Sequence, residues 1–87
     1  MLKQKTIIVY MGIMDFKIIG HQIINGEEGV LLKALDGVAF AIIEGVDASA
    51  TKIVLSAEAT AMVFSSVVDN GYVVRIPAKH VKEVRYD

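Results

Sequence analysis

Residues 56–71 read Ser-Ala-Glu-Ala-Thr-Ala-Met-Val-Phe-Ser-Ser-Val-Val-Asp-Asn-Gly, and the way they fold decides the architecture. Ser56 suits a helix N-cap, because its hydroxyl can accept from an amide of the first turn. Glu58 stands in that turn, where the helix dipole favours an acid. Alanine, the strongest helix former, recurs at Ala57, Ala59 and Ala61. Ala57, Ala61, Phe64 and Val68 form one stripe at helical spacing, and Met62, Val63 and Val67 another. The β-branched run from Val63 to Val68 argues the other way, since such side chains lose rotamer freedom in a helix. Asp69-Asn70-Gly71 serves either outcome. It can end a helix with Gly71 in the left-handed region, or it can turn a hairpin joining Val63–Val68 to Tyr72–Ile76. Caps and periodicity together predict a helix at about 57–69. The alternative is an all-β small barrel.

Outward from this segment the chain reads as strand. Valine and isoleucine number twelve and eleven against five leucines, and β-branched residues fit a pleated sheet. Strands are predicted over Lys5–Met11, Phe16–Ile24, Gly29–Leu35, Val38–Glu44, Lys52–Leu55 and Tyr72–Ile76. Pro77 has no amide proton to continue a ladder, so one turn over Ala78–Val81 should lead to a last edge strand, Lys82–Tyr86. Asp36-Gly37 between apolar runs predicts a two-residue hairpin turn. Asn25-Gly26 suggests a slightly longer loop that holds Glu27 and Glu28 in solvent. Gly20 suggests a bulge or bend. The fold class is therefore α+β: one domain over residues 1–87, a small antiparallel sheet of six or seven short strands with one helix.

Composition narrows the function. Of 87 residues 54% are hydrophobic and 22% charged, with a formal net charge of −1 and no cysteine. This excludes intrinsic disorder and any disulfide, cysteine-zinc or thiol chemistry. A pI near 6.1 is far from that of a wholly basic nucleic-acid binder. A chain this small has more apolar surface than a monomer readily hides, so a homo-oligomer or other protein complex is expected. Val38 to Ile43 are apolar on both strand faces, and one helix can cover only one of them. The expected interface residues are Val38, Phe40, Ala41, Ile42 and Ile43, with Tyr72, Val74 and Tyr86 on the C-terminal edge. The longest near-continuous apolar stretch, Ile7–Met14, is far short of the roughly 18–20 residues of a membrane span. A cytoplasmic protein that does not enter a membrane is the default expectation.

Few residues carry chemistry. The C-terminal segment holds Arg75, Lys79, His80, Lys82 and Arg85, a candidate anion or nucleic-acid contact flanked by Tyr72 and Tyr86. Charges that keep an edge strand soluble would look the same. His21 and His80 have no metal-ligand spacing around them. Ser65-Ser66 has no adjacent base, and Gly26-Glu27-Glu28-Gly29 lacks the lysine and spacing of a phosphate loop. No catalytic, metal or cofactor site is expected. The leading expectation is a small non-enzymatic, homo-oligomeric interaction or assembly module. The alternatives are a nucleic-acid-binding regulator using the basic C-terminal segment, and a small-ligand site at a subunit interface.

Asp69-Asn70-Gly71-Tyr72-Val73-Val74-Arg75-Ile76-Pro77, followed by Lys79, Val81 and Lys82, resembles the Gly-x-Val-Val-Ile-Pro hairpin of AbrB-type transcription factors. Arg75 is an extra residue inside that motif, and the likeness covers some 15 residues. It implies a swapped-hairpin dimer that binds DNA. The succession of strand, single turn and last strand is also similar to the ending of Sm-like and SH3-like small barrels, a likeness of shape that carries no function.

Overall fold

In a computed structural model of the chain, the described residues are 14–34, 37–47, 49–69 and 71–86. The predicted strand Lys5–Met11 lies outside them. The elements are β1 (Met14–Ile24), β2 (Glu27–Ala34), β3 (Gly37–Ile43), β4 (Lys52–Leu55), helix α1 (Ala57–Val68), β5 (Val74–Ile76), a 3-10 turn (Ala78–His80) and β6 (Val81–Arg85). The fold is a small α+β one, with a six-stranded sheet in the order β5-β3-β2-β1-β4-β6.

The helix forms as its cap predicts. The Ala59 amide donates to Ser56 Oγ at 3.2 Å. The Gly71 amide closes onto the Ser66 carbonyl at 2.6 Å, the long bond of a Schellman-type ending. The β-branched run stays helical because packing outweighs propensity: Ala59, Thr60, Val63 and Phe64 are buried against the sheet. This sets aside the all-β alternative and the AbrB-like hairpin. Residues after Gly71 do not fold back on Val63–Val68; β5 instead runs parallel to β3, with Ala41 opposite Val74 and Ile43 opposite Ile76. The sheet is therefore mixed where an antiparallel one was expected. The connection from β3 to β5 passes through β4 and α1, and so long a crossover permits parallel pairing.

Two turns correct the predicted register. Asn25 and Gly26 have φ of 51° and 83°, and Ile24 pairs with Glu27. This is the two-residue turn with both central φ positive that Asn-Gly favours. Glu27 and Glu28 therefore open β2 instead of sitting in a loop. At the next hairpin Ala34 pairs with Gly37, so Gly37 belongs to β3; Leu35 and Asp36 lie outside the described residues. A Cβ on Gly37 would stand 2.7 Å from Val67 Cγ1, which is how closely the helix end approaches this strand.

β1 serves two half-sheets. Met14–Lys17 pair with β4, Ile18–Ile24 pair with β2, and the register shifts between Ile18 and Gly20, the bulge that Gly20 suggested. Among the described strands β5 and β6 are the two outer ones, yet only Pro77–His80 separate them in sequence. So short a link cannot cross a flat sheet six strands wide, so the sheet curls. The concave side is filled by α1 and holds a core that includes Phe16, Leu32, Ile53, Leu55, Val63, Val74 and Ile76. The rings of Phe16 and Phe64 meet at 5.8 Å and 53°, a favourable tilted geometry. Phe40, one of the expected interface residues, is half-buried on the other face. No described helix is long and apolar enough to cross a membrane.

Thr60 is fully buried, and among the described residues its hydroxyl has no hydrogen-bond partner. Replacing a buried, unsatisfied hydroxyl by a methyl of similar shape removes a desolvation cost. Thr60→Val is expected to raise unfolding stability by about 1 kcal/mol in urea titration; equal or lower stability would show that the hydroxyl is satisfied in solution.

Candidate functional site

The alternation of β3 sorts the predicted interface residues into two groups. Ala41 and Ile43 point inward with Ala39 and are buried, as is Val74 on β5. They belong to the core and cannot meet a partner, so a charge at Ala41 would report on folding. Val38, Phe40 and Ile42 occupy the outer face and are half-buried. Leu31 lies opposite Phe40 on the same face. Tyr72 is 49% exposed and Val73 36% exposed beside this face, and Tyr86 is exposed at the end of β6. Gly71, at a φ of 69°, lies against the Phe40 ring. An open groove of about 410 Å³ runs along this side, lined by Asn25, Ile42, Met62, Tyr72, Val73 and Arg75 among others.

Arg75, which lines the groove, is held in an ion pair. The Arg75 guanidinium donates to both carboxylate oxygens of Glu27, the Nη1 bond being 3.1 Å long. Arg75 stands opposite Ile42, so the pair reaches from β5 across β3 to β2. The hydrogen bond from Arg75 holds the Glu27 carboxyl below its ordinary pKa and raises that of Arg75. Asp47 is likewise lowered, by the side-chain and backbone bonds from Ser49.

Two of the basic C-terminal residues are engaged by acids. Arg75 is committed to Glu27. Arg85, on the opposite edge strand, binds Glu83 at 2.7 Å and approaches Asp15 at 3.8 Å, and the Glu83 carboxyl is held low by it. Lys79 and Lys82 are exposed. His80 is turned toward the helix: Ser56 Oγ stands 3.0 Å from its Nδ1, and the Ser56 amide donates to its carbonyl at 2.8 Å. His80 Nε2 is 3.8 Å from Glu58 Oε1. A hydroxyl, an imidazole and a carboxylate thus converge, a grouping hidden in the sequence by the separation of residues 56 and 80. The hydroxyl is already occupied in capping α1, and the arrangement ties the 3-10 turn to the helix start. Among the described residues no group of three histidine, aspartate or glutamate side chains could hold a metal ion.

The residues that sequence reasoning missed are lysines. Lys17 pairs with Lys52 and Lys52 with Arg85, which sets three cations side by side on the outer face of β1, β4 and β6. Leu32 pairs with Ile18, so Lys33 continues that row beside Lys17. Only strand register could reveal it, since the four positions are scattered along the chain.

No protein-family model matches the chain, and no curated protein or solved structure matches it.

Two outcomes follow from these contacts. Ser56→Ala removes the helix cap and the His80 bond together and is expected to cost about 1 kcal/mol of stability; adding His80→Ala to it should cost less than His80→Ala alone, because both act on one tie. Additive losses in denaturant titrations would contradict the tie. Glu27 has a folded pKa below its unfolded one, so its contribution is complete above the unfolded value and is lost as pH falls through the folded value. Stability should drop as pH falls below about 4.5, and Glu27→Gln should flatten that slope in denaturation midpoints measured against pH.

Proposed function

We propose that the protein is a non-catalytic self-association module, a small interaction or assembly domain that pairs with a second copy of itself through the outer face of β3 and the segment 71–73. One observation carries this reading. The inner face of the sheet has α1 as its cover, while half-buried Phe40 lies on the outer face and Ile42, Tyr72 and Val73 line an open groove that no described residue fills. Apolar surface left in water favours association in proportion to the area removed. Aromatic side chains such as Tyr72 are typical anchors of such contacts.

The helix adds support. Among its twelve residues Glu58 is the only charged one, and Val68 at its end is exposed. A surface helix with so little charge adjoins the groove through Met62.

Native mass spectrometry and light scattering test the proposal. The wild type should run at a multiple of 9.5 kDa, and the exposed double substitution Tyr72→Glu with Val73→Lys should run at the single-chain mass with an unchanged circular dichroism spectrum. A wild type that stays a single chain at high concentration, or a variant of unchanged mass, would remove the basis for the proposal.

A further inference from the structure

We infer that the outer face of β1, β4 and β6 is a second binding surface, for phosphate groups along a single-stranded nucleic-acid backbone, built on Lys17, Lys52 and Arg85 with Lys33 beside them. It lies on the other half-sheet from the groove and does not depend on the self-association reading.

The strand register is the first support. Residues opposite each other on neighbouring strands share a face, and alternation puts Phe16 and Ile53 inward as fully buried core residues. Lys17 and Lys52, one position along in each strand, therefore face outward as direct neighbours. Like charges in that position destabilise a sheet. Alternating signs across the strands would keep such a face soluble without that cost. Four cations, Lys17, Lys33, Lys52 and Arg85, against the two acids beside them, Asp15 and Glu83, leave a local positive excess in a chain of net charge −1, and such an excess concentrates anions.

The disposition of the nearby acids is the second support. Asp15 and Glu83 occupy the adjacent row of the same face, with Val54 between them. Both are turned to Arg85. Arg85 thus spans β4, and its aliphatic stem helps explain why outward-facing Val54 is only 8% exposed. No ion pair among the described residues reaches Lys17 or Lys52. Arg85 is the fixed member of the row, and the two lysines are the extendable ones. Lysines act on phosphate as point charges, without demanding a base or a fixed approach angle, so the recognition is of backbone and not of sequence.

Fluorescence anisotropy with a short labelled thymidine oligomer over a salt series tests this. The wild type should bind at low salt, with log K falling against log salt by about 0.7 per phosphate contacted. Lys17→Gln with Lys52→Gln should weaken binding tenfold or more and reduce the slope by about 1.4, two contacts' worth. The melting temperature of that variant should be equal to or above wild type, because the like-charged pair is gone. Lys79→Gln with Lys82→Gln should leave binding nearly unchanged. Absence of binding, or loss only with the Lys79 and Lys82 changes, would overturn the assignment. So would saturable binding of inorganic phosphate, followed by NMR shifts at Lys17 and Lys52, without binding of the oligomer.

Discussion

The link from Ile76 to Val81 constrains everything else in the molecule. It joins the two outer edges of one sheet through four intervening residues, three of them in a tight 3-10 turn. The edges must therefore approach each other, and the sheet becomes a trough. A trough has an inside to fill, and α1 fills it with Ala59, Val63 and Phe64. The turn is also held by the helix it faces, through the two bonds between Ser56 and His80. Closing the edges and seating the helix are thus parts of one arrangement, in which Ser56 both starts α1 and fastens the link.

The two edge strands are secured in the same manner. Arg75 on β5 reaches over β3 to Glu27 on β2, and Arg85 on β6 reaches over β4 to Asp15 on β1. Each arginine skips its immediate neighbour and grips the strand beyond. Exposed pairs of this kind contribute little individually to stability. Their placement matters more than their strength, because a strand three residues long such as β5 has few ladder bonds of its own. Charged side chains on outer strands also discourage unwanted edge-to-edge pairing. The outer surface is divided as a result: apolar side chains dominate over β3, and ionic ones over β1, β4 and β6.

Much of the fold was legible because local signals agreed with one another. The Ser56 cap, Glu58 and the alanine spacing marked the helix within a residue or so, and Gly20 marked the bulge. Asn25-Gly26 carried its tight-turn signal in plain sight, but the adjacent Glu27 and Glu28 looked like loop residues; a strand that begins beyond the helix cover can start with exposed acids. The parallel pairing of β5 with β3 had no local sign, since it depends on a crossover of some thirty residues. The outer surface was half legible. Alternation identified β3 as two-sided, but which of its side chains face inward depends on register, and a one-residue slip exchanges the faces. Ala41, Ile43 and Val74 were misplaced for that reason. The lysine row was invisible for the same reason in stronger form: it exists only once three separate registers are fixed.

The bulge in β1 has a bearing on how the chain folds. Its C-terminal half joins β2 and β3 through short hairpins, which close quickly because little chain entropy is lost. Its N-terminal half must wait for β4, with Lys17 pairing to Lys52 and Met14 to Leu55, and β4 in turn waits for β6. Non-local pairings of this kind slow the final approach to the native state. In the interval Met14–Lys17 form a bare strand next to a completed meander, the kind of nascent edge on which chains aggregate. Asp15 and Lys17 stand on that edge before β4 pairs with it, and charge on a bare edge discourages unwanted pairing.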